Sequence, residues 1–234
     1  AKPSVMGFDI THINLHKTFS TPHGGGGPGA GPICVVEKLS KFLPNPRIIK
    51  NNDKFEFCFK NKDSIGRLHS YFGNFLVLVR AYSYILSLGD KGLEKMSRVA
   101  ILNANYLKKK LQETYDIPFS NGSMHEFVIS ALKQKNRGVK ALDIAKSLLD
   151  YNYHSPTIYF PINVPESIMI EPTESESIDT LDAFSQCMIQ IDKDIDQNPD
   201  KILDAPITTP VRRLNETKAN REIDVNYFLS VDEK

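Results

Sequence analysis

The sequence has few cysteines, almost no net charge and no long apolar run, and each shortage excludes a class of protein. Its three cysteines, Cys34, Cys58 and Cys187, lie far apart without CxxC spacing, which argues against a disulfide framework and a cysteine zinc site. We therefore predict a reducing compartment. The net charge of +1 gives no reason to expect nucleic acid or an anionic membrane as a partner. No run of 18 or more apolar residues is present, so a membrane-spanning helix is not expected.

The start of the chain leads us to expect that further sequence precedes it. The chain begins at Ala1, without an initiator methionine or a signal-peptide pattern, and its most informative motif follows almost at once. The length of 234 residues suits one large domain or two small ones. A change of texture predicts a boundary near residues 116–123.

The first part of the chain combines a glycine loop, two predicted strands and a long helical pattern. Residues 33–36 form a short apolar run and residues 55–59 alternate, as strands do. Residues 64–115 have helical periodicity. Within them, residues 75–88 are apolar almost all round and stop at Gly89, which predicts a helix buried on most faces.

The second part predicts a compact α+β unit, because strands and helices alternate over short distances. The predicted strands cover residues 124–131, 157–162 and 167–170, and the predicted helix between them covers residues 141–151. Thr173 and Glu176 form a possible capping box before a second long helix. The apolar stripe of that helix consists of Leu181, Phe184, Met188, Ile191 and Ile195. Residues 198–234 have little periodicity, which is typical of a surface tail.

The densest group of reactive residues precedes and includes the glycine loop. It contains His12, His16, Lys17, Thr18 and His23, followed directly by four glycines. A nucleotide P-loop is disfavoured, because that motif places its lysine after the glycines and before a helix. Histidines four apart could share a zinc ion on a helix, but the HExxH glutamate is missing, so we predict no metal site.

A Schiff-base lysine is the third interpretation of this segment. Lys17 lies between Leu15 and Phe19, and partial desolvation there would favour a neutral, nucleophilic amine. Neighbouring histidines and hydroxyl groups could then bind a cofactor. The pattern alone does not separate this role from that of an ordinary surface lysine beside a structural glycine loop.

The segment from His16 to His23, with its four glycines, Pro28 and Gly29, resembles the cofactor-lysine segment of the glycine cleavage system P-protein. Further segments resemble that family in the same order along nearly the whole chain. These segments are residues 66–67, 71–75, 78–82, 102–107, 124–127, 142–146, 157–161, 170–174 and 208–214. The ending resembles that of the separate subunit 2 of the two-chain bacterial form.

The resemblance implies an α/β plus α+β fold like that of fold-type-I enzymes that use pyridoxal phosphate (PLP). Residues 1–118 would be the C-terminal part of the PLP-binding large domain, residues 119–197 the small α+β domain, and residues 198–234 a tail. Lys17 matches the Schiff-base lysine of the family, and His16 and Thr18 are expected to contact the cofactor. We expect His23 and Gly24, Gly25, Gly26 and Gly27 to contact the substrate or line a narrow entry.

The implied activity is that of a PLP-dependent glycine dehydrogenase (aminomethyl-transferring, decarboxylating), an oxidoreductase of glycine catabolism. Glycine would be decarboxylated and its aminomethyl group transferred to the lipoyl group of H-protein. The implied partners are glycine, lipoylated H-protein and either the other P-protein subunit or a missing N-terminal region, in an oligomer of the bacterial cytoplasm. The alternative is an incomplete, inactive fragment that serves only as a structural piece of that enzyme.

Overall fold

The computed structural model of the chain describes residues 2–24, 26–27 and 29–225, and it divides into two compact units between Leu93 and Glu94. Residues 104, 107 and 111 already belong to the main core of the second unit, so the compact units divide earlier in the chain than the boundary predicted near residue 118. The predicted domain limits therefore stay a prediction. Within the described ranges, no helix is both long enough and apolar enough to cross a bilayer.

Two antiparallel strand pairs organise the first unit. The strands β1 and β2 form one pair and β3 and β4 form the other, so residues near 33–36 and 55–59 are strands as predicted. A short helix, α1, lies between β1 and β2, and a second, α2, follows β2. The bounds are β1 Ile10–His12, α1 Leu15–Thr18, β2 Ile33–Val35, α2 Glu37–Ser40, β3 Arg47–Asn51 and β4 Lys54–Cys58.

A long helix, α3 (Phe75–Leu111), is interrupted at Gly89, which has a φ of 61°. This left-handed conformation costs glycine little, because glycine has no Cβ to clash with the backbone. The prediction that residues 75–88 are buried on most faces is wrong for this structure. Phe75 and Leu76 are 72% and 78% exposed, while Val77 and Ala81 are buried. The described elements of the first unit cover only that one stripe of the helix.

The second unit is an antiparallel sheet of three strands packed with helices. Its strands are β5 (Phe127–Ser130), β6 (Thr157–Ile158) and β7 (Ser167–Ile170), with β7 in the centre. The helices α4 (Leu132–Asn136), α5 (Ala141–Asp150) and α6 (Ile178–Gln197) accompany them. The predicted order of strand, helix, strand, strand, helix is confirmed, with α4 as an additional short helix.

The core of the second unit is formed by the apolar faces of two helices, and that of α6 is the stripe predicted from the sequence. Ile144 and Leu148 of α5 and Met188 and Ile191 of α6 are all fully buried against the sheet. Fully burying a large aliphatic side chain stabilises a fold by about 1.5–3 kcal/mol. These residues therefore determine which face of each helix packs inward.

The first turn of α6 is capped by Ser177 rather than by the predicted capping box. The Ser177 hydroxyl accepts a hydrogen bond from the Thr180 amide at 3.2 Å. The predicted pair, Thr173 and Glu176, lies in the preceding loop, where the Thr173 hydroxyl contacts the Ser175 hydroxyl at 2.7 Å. The helix begins later than predicted, because Ser177 is the residue whose backbone is extended just before the first turn.

A buried carboxylate, Glu166, ties α4 and α5 to the start of β7. It accepts hydrogen bonds from the Lys135 ammonium at 2.6 Å and the Ala141 amide at 2.9 Å. Burial alone would raise the pKa of Glu166, but these two donors outweigh it and hold the pKa below its ordinary value.

The segment after α6 is only partly the surface tail that the sequence predicts. It forms α7 (Pro199–Leu203), in which Ile202 is fully buried, and α8 (Glu216–Arg221). Between these helices, the Arg213 guanidinium donates to Asp143 at 2.7 Å. The prediction of a tail is therefore wrong for the stretch that includes Ile202 and Arg213, which are held by burial and by an ion pair.

Asp150 at the end of α5 is a second residue that binds the segment after α6. Its carboxylate accepts hydrogen bonds from the backbone amides of Ile207 and Thr208, both at 2.8 Å, and from the Thr208 hydroxyl at 2.7 Å. Burial alone would raise the pKa of Asp150, but these bonds hold it below its ordinary value.

Candidate functional site

The lysine segment lies inside the loop that connects β1 to β2. The antiparallel pairing of these strands continues past their ends, because the Ile13 amide donates to the Pro32 carbonyl at 3.1 Å and the Leu15 amide to the Ala30 carbonyl at 3.3 Å. The loop therefore closes on itself around α1. Lys17 is the third residue of that one-turn helix.

Leu15 anchors α1 to the first half of α3. Its side chain is buried and packs with Val77 and Ala81, and half-buried Ile13 and Phe19 lie against the same cluster. Because Lys17 is two residues further along a single helical turn, its side chain points away from this anchor and is exposed. The desolvation of the amine expected between Leu15 and Phe19 is therefore absent in the described structure.

Two polar side chains of the Asn74–Arg80 segment hold the loop at two points between its ends. The Asn74 amide group donates to the Gly29 carbonyl at 3.0 Å, and the Arg80 Nε donates to the Ser20 carbonyl at 2.6 Å. Ser20 has a φ of 55°, so its backbone turns sharply there. No local pattern indicates these roles, because side-chain bonds to a distant backbone leave no periodic signal in a sequence.

Two buried polar atoms within four residues of Lys17 in sequence lack hydrogen-bond partners among the described residues. They are His16 Nδ1 and Thr21 Oγ1. A buried polar atom without a partner is costly, so such atoms indicate that a further group completes the site. The His16 ring also meets the His23 ring edge-on, with 4.9 Å between centroids. The structure thus brings His16 and His23 into contact, and the next residues along the chain, Lys17 and Thr18, are both exposed.

The described glycines among residues 24–27 are exposed, and two of their amides are occupied. The amides of Gly26 and Gly27 both donate to the His23 carbonyl at 3.2 Å. Those two donors are therefore unavailable to a phosphate, which agrees with the sequence argument against a nucleotide P-loop. Gly24 shares this exposure, and Gly25 lies outside the described residues.

Two histidines four residues apart would need a shared helix to bind one zinc ion. His12 and His16 do not share a helix. His12 is the last residue of β1, and a Cβ at Gly31 would overlap the His12 ring as it stands, so the exposed ring would have to move for any larger residue. Within the described ranges, no group of three or more potential metal-binding side chains is found. The geometry instead suits a carbonyl cofactor. An exposed lysine amine can attack an aldehyde, and the two unpartnered atoms can bind its polar substituents.

Comparison with known proteins finds similar chains in one family of enzymes. The family described as glycine dehydrogenase, C-terminal domain, matches residues 96–209. A probable glycine dehydrogenase (decarboxylating) subunit 2 of Bacillus licheniformis is 53% identical over 227 residues, which cover 97% of this chain and 47% of that protein. The protein of the same name from Thermosipho melanesiensis is 55% identical over 227 residues, again 97% of this chain and 47% of that protein.

One solved structure has a similar fold. It is the crystal structure of glycine decarboxylase (P-protein) of the glycine cleavage system in inhibitor-bound form, with a TM-score of 0.66 and 16% sequence identity. The match covers 82% of this chain and 45% of that chain, and it confirms the predicted α/β plus α+β fold class. The chain spans about half the length of the curated relatives it matches. Nearly the whole chain is therefore similar to proteins named glycine dehydrogenase (decarboxylating) subunit 2, and its residues 96–209 match the glycine dehydrogenase C-terminal domain family.

Proposed function

We propose that this chain carries the cofactor lysine of a PLP-dependent enzyme that decarboxylates glycine and transfers the aminomethyl group to the lipoyl group of H-protein. The observations that carry the proposal are the exposed side chain of Lys17 and, within four residues of it in sequence, the buried, unpartnered atoms His16 Nδ1 and Thr21 Oγ1. The names of the relatives support the enzyme over the alternative of an inactive structural fragment.

Each residue of the site has a task that follows from its position. The Lys17 amine would hold the cofactor through a Schiff base, because its side chain is exposed and reachable. His16 Nδ1 and Thr21 Oγ1 would bind polar substituents of the ring, which would satisfy both buried atoms. Thr18, one residue after the lysine, would supply a further hydroxyl group. PLP, when bound, supplies an electron sink for the electrons released by the loss of CO2.

The protein's further task is to keep the cofactor lysine in place. Leu15 and Arg80 fix the two ends of the Lys17 segment to α3. A reactive group held by buried anchors needs less reorganisation at the moment of reaction. Both residues are therefore positioning residues in this proposal.

The glycine loop is proposed as the entry for the lipoyl arm. Gly24, Gly26 and Gly27 are exposed and have no side chains to narrow the approach, and His23 lies at their start. Gly27 is the position to test, because a Cβ there meets only the Gly24 carbonyl oxygen at an ordinary 3.6 Å. Gly26 is less suitable, because its φ of 108° would strain any other residue.

We expect Gly27→Phe to lower the rate of aminomethyl transfer to lipoylated H-protein while leaving PLP binding unchanged. Gly27→Ala is the matched control, since it adds one methyl group at the same backbone position. Equal losses of transfer and PLP binding in Gly27→Phe would refute the proposed entry.

The proposed partners are glycine, lipoylated H-protein and a second P-protein subunit, in an oligomer of the bacterial cytoplasm. The relatives are named subunit 2, which supports a partner subunit. The central experiment is glycine–bicarbonate exchange measured with the partner subunit and PLP present, for the protein and for Lys17→Ala. Activity that survives Lys17→Ala would overturn the proposal.

A further inference from the structure

A cavity of about 350 Å³ lies in the second unit, where β6 and β7 approach the first turns of α6. None of the residues proposed for the PLP site lines it. Its size falls within the range of about 300–1,000 Å³ that is typical of small-ligand sites. The side chains that line its apolar walls include Leu107, Tyr153, Ile170, Leu181 and Phe184.

Two aromatic rings form one corner of the cavity. Tyr153 and Phe184 meet edge to face, with 5.1 Å between centroids and 82° between ring planes. Burial raises the pKa of Tyr153, and electrostatic interactions with Cys187 and Glu176 add to that rise. The phenol is therefore neutral at physiological pH and Glu176 lies within electrostatic reach of it. The face of an aromatic ring attracts cations, and a carboxylate nearby strengthens that attraction.

The polar side of the cavity is an acidic loop held in place by a buried amide. Asn103, only 8% exposed, donates from Nδ2 to the Thr173 carbonyl at 2.9 Å and to the Glu176 carbonyl at 3.4 Å. The loop contributes Glu171 and Glu176 to the lining. Because Asn103 lies 70 residues before Thr173, this contact is a tertiary anchor that fixes where the carboxylates stand.

Among the described residues, few positively charged side chains are available to neutralise the Glu171 and Glu176 carboxylates. The lining contains no lysine or arginine, and its basic side chain is His154. His125 lies 3.8 Å from Glu171, but it lies equally close to Glu126. Lys110 of α3 does not line the cavity and is bound to Asp182 at 3.1 Å. The cavity therefore combines apolar walls, two aromatic rings and an excess of negative charge.

We propose that this cavity binds an organic cation, a primary ammonium group carried on a hydrocarbon chain such as the side chain of lysine. The hydrocarbon would pack on Leu107 and Leu181, and the ammonium would lie between the aromatic corner and Glu176. This site goes beyond the proposed decarboxylase function, since it requires neither Lys17 nor PLP.

The test compares two probes of nearly equal shape by NMR titration of the full chain. N-acetyl-lysine methylamide carries the ammonium, and N-acetyl-norleucine methylamide lacks it. We expect the lysine probe to shift the ring resonances of Tyr153 and Phe184 and to bind about tenfold more tightly, as a charge-assisted contact implies. n-Butylammonium distinguishes the source of the cation. Binding as tight as that of the lysine probe indicates a free amine, and much weaker binding indicates a lysine residue within a polypeptide.

Two variants of the acidic loop test which carboxylate binds the ammonium group of the lysine probe. Glu176→Gln should weaken binding of the lysine probe about tenfold, whereas Glu174→Gln, whose side chain does not line the cavity, should leave it within about twofold. If Glu176→Gln unfolds, the salt dependence of binding to the native chain still tests the proposal. Added salt must weaken binding of the ammonium probe, because it screens the charge attraction. Equal affinity for both probes, or binding without shifts at Tyr153 and Phe184, would overturn the proposal.

Discussion

Replacing Leu15 with alanine should loosen the whole lysine segment, because Leu15 is its buried anchor. The side chain packs on Val77 and Ala81, in a cluster with only three buried members among the described residues. Leucine-to-alanine changes in cores cost about 2–5 kcal/mol, and a small cluster that can collapse belongs at the low end. We therefore expect a loss of about 2 kcal/mol in the local stability of residues 13–32.

Hydrogen exchange followed by mass spectrometry measures this loss directly. A loss of about 2 kcal/mol in local opening free energy corresponds to exchange about 30-fold faster in peptides that cover residues 13–32. Leu68→Ala is the matched control, since Leu68 lies in the same unit and is 49% exposed. If Leu15→Ala and Leu68→Ala show the same exchange in that segment, Leu15 is not the anchor and the account of how Lys17 is held is wrong.

Three further predictions concern the second unit and the cysteines. Glu166→Gln should lower the free energy of unfolding by about 1.5–3 kcal/mol at neutral pH. Because the folded-state pKa of Glu166 is lowered, its contribution is present above the ordinary value of 4.5 and is lost as the pH falls below it, so urea denaturation of the protein and the variant should converge at acidic pH. Arg213→Ala should remove the ion pair with Asp143 and release the following segment, which limited trypsin digestion would detect as faster cleavage near residue 218. Burial raises the pKa of Cys187 to about 11, so a thiol reagent at pH 8 should modify exposed Cys34 and leave Cys187 unmodified until the protein unfolds.

Each of these outcomes can fail in a recognisable way. A stability difference between the protein and Glu166→Gln that persists unchanged at acidic pH would show that the charge of the carboxylate is not what stabilises the fold. An unaltered digestion pattern for Arg213→Ala would show that other contacts hold the segment. Rapid modification of Cys187 in the folded protein would contradict its burial.

Periodicity predicts the second unit well, because its apolar stripes are matched by partners within the same unit. Residues 167–170 are a strand as predicted, and the stripes of α5 and α6 face the core. For residues 75–88 the pattern correctly predicts a helix. Its second prediction, that the helix is buried on most faces, is wrong. An apolar face is a property of the segment, whereas its burial depends on what else the fold supplies to cover it.

The candidate site could be predicted only in part. The order of His16, Lys17 and the glycines marks the segment, and the structure brings His16 and His23 into contact. The anchors Asn74 and Arg80 leave no local signal, because each bonds to a backbone carbonyl far away in sequence. The cap at Ser177 was missed for a different reason: several residues in that loop can serve as caps, and the backbone conformation decides which one does.

The most direct test of the central claim is the identification of the lysine that carries the cofactor. The protein is incubated with PLP and the partner subunit, reduced with borohydride, digested and mapped by mass spectrometry. The account predicts a pyridoxyl group on Lys17, and no retained cofactor in Lys17→Ala. A pyridoxyl group on another lysine, with none on Lys17, would contradict the assignment of this chain's cofactor site.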